Sequence, residues 1–104
     1  MTIINIVYRE SEDYDHCLSF VFATMNDVKQ QVEEMNRSEK GYIFSERVSY
    51  ETFNIEHSLE DTLYVVTYRK DEIEIIDRIF NTVHKAEQYV SKNNNYTIHY
   101  VAVI

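Results

Sequence analysis

Phe22-Ala23-Thr24-Met25 and Phe80-Asn81-Thr82-Val83 are the stretches on which the fold turns. At each, a strand-forming run ends on a threonine and a pattern of helical period begins. After Thr24 come Met25, Val28, Val32 and Met35, spaced to line one face of a helix; after Thr82 come Val83, Ala86 and Val90. A threonine there can accept a backbone N–H of the first turn, so Thr24 and Thr82 are read as helix N-caps. Asp27 gives Thr24 a weak capping-box partner, where Thr82 has Lys85.

Working outward, the two stretches belong to a longer repeat. Val7-Tyr8-Arg9 returns as Thr67-Tyr68-Arg69, and after the caps Gln30, Val32 and Asn36 return as Gln88, Val90 and Asn94. The two registers differ by two residues, which assigns the longer turn to the first hairpin. Ile3 to Arg9 and Leu63 to Arg69 are expected as first strands, Cys17 to Phe22 and Ile73 to Phe80 as second strands, and Tyr42 to Tyr50 and Tyr96 to Val103 as third strands. Met25 to Met35 and Val83 to Val90 are the expected helices. A third strand docked beside the first gives the order 2-1-3 in each copy. The fold class is therefore α+β: a two-layer, duplicated ββαβ unit with two helices on one face of a mainly antiparallel sheet. Residues 1–104 are one domain, with copies at about 1–52 and 63–104 and a connection at 53–62 carrying a short turn of helix. Whether the six strands make one sheet or two is left open.

Tyr64-Val65-Val66, a polar turn, Asp77-Arg78-Ile79-Phe80-Asn81-Thr82 and then Ala86-Glu87-x-Tyr89-Val90 resemble the small strand-strand-helix-strand domains of uncharacterised function found in phages and low-GC bacteria. The match covers about half the chain well and the first copy loosely. The resemblance implies a fold and a phage-like context, and no activity.

Composition excludes several classes. The chain has 104 residues, 44% of them hydrophobic and 27% charged, which is ordinary globular usage. No apolar run approaches the ~20 residues of a membrane span, and the start lacks the basic n-region of a signal peptide. A cytoplasmic location is expected, the host's if the protein is phage-encoded. Eighteen acidic against ten basic residues give a net charge of -8, with no basic cluster, so direct nucleic-acid binding is disfavoured; the acidic balance is compatible with a protein partner that has a basic surface, or simply with solubility. Cys17 is the single cysteine, which rules out an internal disulfide; it is expected as a small buried strand residue. With no proline and one glycine, Gly41, the turns must rest on Asn, Asp, Ser and Lys.

The sequence carries no recognisable catalytic or metal-binding motif. His16, His57, His84 and His99 have no metal-site spacing, Asp13-Tyr14-Asp15-His16 is not a calcium loop, and one glycine cannot form a phosphate loop. No metal, cofactor or catalytic residue is assigned, and the protein is expected not to be an enzyme. An enzyme or small-ligand binder using His16 or His57 with nearby carboxylates is the alternative. Surfaces carry the remaining signal. Glu10, Glu12, Asp13 and Asp15 crowd the first hairpin turn, and Asp71, Glu72 and Glu74 the second. Tyr96 and Tyr100, two of nine tyrosines, lie on an expected edge strand. These nine residues are the candidate partner-binding positions. The function expected is that of a small acidic binding protein, in phage terms an inhibitor of a host defence or nucleic-acid-processing protein. A structural module, or a homodimer pairing through Tyr96 to Val103, is the other alternative.

Overall fold

The computed structural model describes residues 2–11, 16–38, 46–56, 59–93 and 95–104. In chain order the elements are β1 (Thr2–Ser11), β2 (Leu18–Thr24), α1 (Lys29–Ser38), β3 (Glu46–Ile55), β4 (Thr62–Lys70), β5 (Ile73–Phe80), α2 (Val83–Val90) and β6 (Tyr96–Ala102). The protein is α+β, with two antiparallel three-stranded sheets ordered β2-β1-β3 and β5-β4-β6.

The central strands explain the stacking. In β1, Ile4 and Ile6 point one way and Val7 the other, and all three have no exposed surface. Val7 packs with Phe22 and Val48 against Val28 and Val32 of the α1 segment. Ile4 and Ile6 join a different cluster with Leu63 and Val65 of β4 and Val101 of β6. The first sheet thus has α1 on one face and the second sheet on the other. α2 lies on the far face of the second sheet, where Tyr89 meets Phe80 and Tyr96. The helices do not share one face of one sheet, and the layers run α1, sheet, sheet, α2. The molecule measures 41 × 32 × 16 Å. Layers about 10 Å apart account for the long dimension, and three twisted strands about 4.8 Å apart for the short one. The sheets meet at one corner, where Ala23 bridges Val103 and its carbonyl accepts the Ile104 N–H at 2.9 Å.

Several elements differ from the sequence expectation. β3 runs on to Ile55, so Phe53 to Ile55 are strand and not connection, and Thr62 opens β4. Glu56 and residues 59–61 are not helical. Tyr42, at the start of the expected third strand, lies outside the described residues. Thr24 ends β2 and caps nothing; its hydroxyl accepts the Asn26 N–H at 3.2 Å. Asp27 takes the capping role, its Oδ1 accepting the Lys29 N–H at 3.0 Å, and Met25, ahead of the helix, is exposed. Thr82 does cap α2, accepting the Lys85 N–H at 3.3 Å. The repeat register is not kept in the pairing: Tyr8 opposes Phe20, whereas Tyr68 opposes Ile75. The second hairpin closes through Asp71 and Glu72 alone, with φ of 54° and 67°. That is the primed geometry of a two-residue hairpin, built here without glycine.

Two expectations follow. Glycine carries no Cβ penalty at positive φ, so Glu72→Gly should raise stability by about 1 kcal/mol in urea unfolding, net of the added freedom of the unfolded chain. Asn36 on α1 donates to the Val48 carbonyl at 2.9 Å and accepts the Val48 N–H at 2.8 Å. Asn36→Ala removes both partners and should cost about 1–3 kcal/mol by the same measurement.

Candidate functional site

A cluster of described polar side chains lies where the two hairpins face each other. β2 crosses the second sheet, which places Phe20 4.8 Å from the His99 ring between centroids. Because strand residues alternate in direction, Thr67, His99 and Glu74 all face the first sheet. Thr67 Oγ1 lies 2.9 Å from His99 Nε2. Glu74 Oε1 accepts the Leu18 N–H at 3.4 Å, while its buried Oε2 has no hydrogen-bond partner and stands 3.8 Å from His99 Nε2. His16 completes the seam: its Nδ1 accepts the Glu74 N–H at 3.4 Å and its Nε2 lies 3.3 Å from Glu10 Oε2. Ser49 donates to the other Glu10 oxygen at 3.1 Å.

Burial holds His99 below the usual imidazole value, and the Glu74 carboxylate pulls the other way without cancelling it. Burial, then the Glu51 and Glu10 charges, push the Tyr8 hydroxyl up; it donates to Glu51 Oε2 at 3.4 Å. On the outer side, Tyr89 is pushed up to about 12, first by its hydrogen bond to Asp77 at 2.6 Å. The Arg78 guanidinium lies 5.0 Å from the Tyr89 ring centre.

The sequence candidates divide among several environments. Glu12, Asp13 and Asp15, and with them His57, lie outside the described residues. Asp71 and Glu72 are exposed at the tight turn. Glu10 is bound to His16 and Ser49, and Glu74 faces the sheet interface, so neither stands free on an acidic tip. Tyr96 is half-buried among Tyr68 and Tyr89, and Tyr100 is exposed against Tyr64. Cys17 is exposed and not core, because it precedes β2 and leaves Leu18 to turn inward; Arg69 Nη1 donates to its sulfur at 3.7 Å. The pairing of Glu74 with His99 and His16 escaped the sequence pattern, since Glu74 lies on β5, His99 on β6 and His16 ahead of β2. Among the described residues no group of three His, Cys, Asp or Glu is arranged to hold a metal ion. No described helix is long and apolar enough to cross a membrane.

No protein family matches this chain, and no curated protein or solved structure compared with it does either.

The seam makes stability depend on pH in a set direction. The unfolded chain protonates His99 near pH 6.5, whereas the folded protein resists until lower pH. Between those values the unfolded state binds more protons, so stability falls as pH falls. Urea midpoints at pH 7 and pH 5 should drop less for His99→Gln than for the parent. An equal drop would remove His99 as the cause.

Proposed function

We propose that this protein acts by binding another protein that presents apolar side chains within a basic surface. The observation that carries this is the outer face of β6. Tyr100 and Ile104 are 68% and 70% exposed, Ala102 lies exposed between them, and Tyr100 is braced edge-on by Tyr64 at 5.4 Å. Glu60 and Asp61 are exposed beside this strip, with the Asp61 carbonyl accepting the Val103 N–H at 2.9 Å. A braced aromatic supplies contact area with little rotor entropy left to lose, and the carboxylate rim on a chain of net charge -8 selects a basic partner. The resemblance to phage domains adds inhibition of a host defence or nucleic-acid-processing protein as the biological form of this binding.

A use of His16 as a catalytic or ligand-binding group draws support from its contact with Glu10. It ranks second, because the groups around His16 are already engaged inside the fold, Glu10 by Ser49, Glu74 by the Leu18 N–H and His99 by Thr67. The same element order and strand order in the two halves, with one bulge in each hairpin, support the further proposal that they are copies of one unit.

The test is capture from the native host by the tagged protein and by a Tyr100→Ser, Ile104→Ser variant, at low and raised salt. The parent should retain a partner that salt releases, since exposed charges are screened within about 8 Å at physiological ionic strength, and the variant should not. Equal retention by parent and variant would remove this surface from the account.

A further inference from the structure

We propose that the outward edge of β3, from Tyr50 to Asn54, docks an extended basic segment of another protein, which joins the sheet as a fourth strand and seats apolar side chains between β3 and β5. This surface is separate from the Tyr100 strip and does not depend on it.

The β2 and β5 edges are each interrupted. β2 has an unpaired bulge residue, Val21, between Phe20 and Phe22; its first N–H, on Leu18, is taken by Glu74, and its end is joined to Val103 and Ile104. That junction also occupies the end of β6. β5 carries a bulge at Asp77, and its Glu74 N–H is taken by His16. Bulges and occupied groups blunt an edge against further pairing. β3 pairs with β1 from Glu46 to Ile55, and β6 with β4 from Tyr96 to Ala102, without a register shift; of the two, β3 is the one that borders a cleft shared with β5. On its free side the Asn36 amide bonds both backbone groups of Val48, as a neighbouring strand would. Backbone groups of a strand point the same way at every second residue, so those of Tyr50, Thr52 and Asn54 also face away from β1. No described hydrogen bond reaches them.

The side chains beside this edge define the occupant. Phe53 and Ile55, on the face toward the second sheet, line a cleft of about 590 Å³ with Ile79 and Phe80 opposite. A strand added to β3 would send alternate side chains into that cleft, the arrangement in which main-chain bonds give affinity and a pocket gives choice. Glu51 and Glu56 are exposed at the two ends of the stretch; across the cleft, whose lining also holds Asp77 and the exposed Lys85, Arg78 is turned back onto Tyr89, its Nε donating to the hydroxyl at 3.2 Å. The carboxylates beside the β3 edge itself, Glu51 and Glu56, favour lysine or arginine between the apolar residues of the fitting segment.

The test titrates the isotope-labelled protein with a short synthetic peptide of alternating lysine and valine, followed by amide resonances and hydrogen exchange. Saturable binding with slowed exchange at Tyr50, Thr52 and Asn54 is expected, and no binding of a glutamate-valine peptide. Asn54→Pro removes one outward N–H at a position where an edge strand tolerates proline, and should weaken binding at least about tenfold. Should that variant not fold, Glu51→Lys with Glu56→Lys, which leaves the backbone alone, should weaken it by a similar factor of about ten. Tyr100→Ser with Ile104→Ser should bind the peptide as the parent does. Exchange unchanged at Tyr50 to Asn54, equal binding of the glutamate peptide, or full binding by the charge-reversed variant would overturn the proposal.

Discussion

Burial of β1 and β4 on both faces is the constraint from which the rest of this structure follows. Ile4, Ile6, Leu63 and Val65 have no exposed surface, and each contributes about 1.5–3 kcal/mol by leaving water. A single sheet with two helices on one side would leave these four facing solvent. Stacking the sheets covers them, and each helix is then left to cover the outer face of its own sheet. Three strands per sheet suffice, because only the middle strand needs cover on both sides.

Stacking also creates the polar problems that the chain solves at its margins. Where the hairpins cross, backbone N–H groups of Leu18 and Glu74 find side-chain acceptors on the opposite sheet. The Glu74 oxygen left without a partner stands beside His99, whose imidazole is held below its usual value by burial. At the β3 edge the same need is met by Asn36, whose amide offers a donor and an acceptor in the geometry of a peptide group. Its reach ends at Val48, and no described hydrogen bond reaches the outward backbone groups of Tyr50, Thr52 and Asn54 beyond it. The binding proposed for this protein rests on two surfaces: an aromatic strip on β6 and a stretch of β3 backbone that no described hydrogen bond reaches.

Much of the local structure was legible in the residues. Ile73 to Phe80 and Val83 to Val90 match β5 and α2, and Thr82 caps as its position suggests. The strand order 2-1-3 followed from connection rules, and it holds in both sheets. What failed depended on tertiary partners. Thr24 resembles Thr82 in sequence, but Asn5 holds the Asn26 carbonyl at 2.7 Å and helix entry is deferred to Asp27. Cys17 sits in an apolar run and is nevertheless exposed, because β2 begins only at Leu18 and leaves it outside the strand. Alternation within β1 and β4 showed that both faces are apolar; it carried no information on whether helix or sheet covers each. The candidate acids had the same weakness: Glu74 looks like a turn residue in sequence and proves to be one of the groups holding the sheets together.

The stacking of the two sheets is tested most directly by nuclear Overhauser contacts among the methyl groups of Ile4, Ile6, Leu63 and Val65. This account predicts contacts from β1 methyls to β4 methyls, together with separate contacts from Val7 to Val28 and Val32. Contacts from Ile4 or Ile6 to residues of α2, with none to Leu63 or Val65, would contradict it.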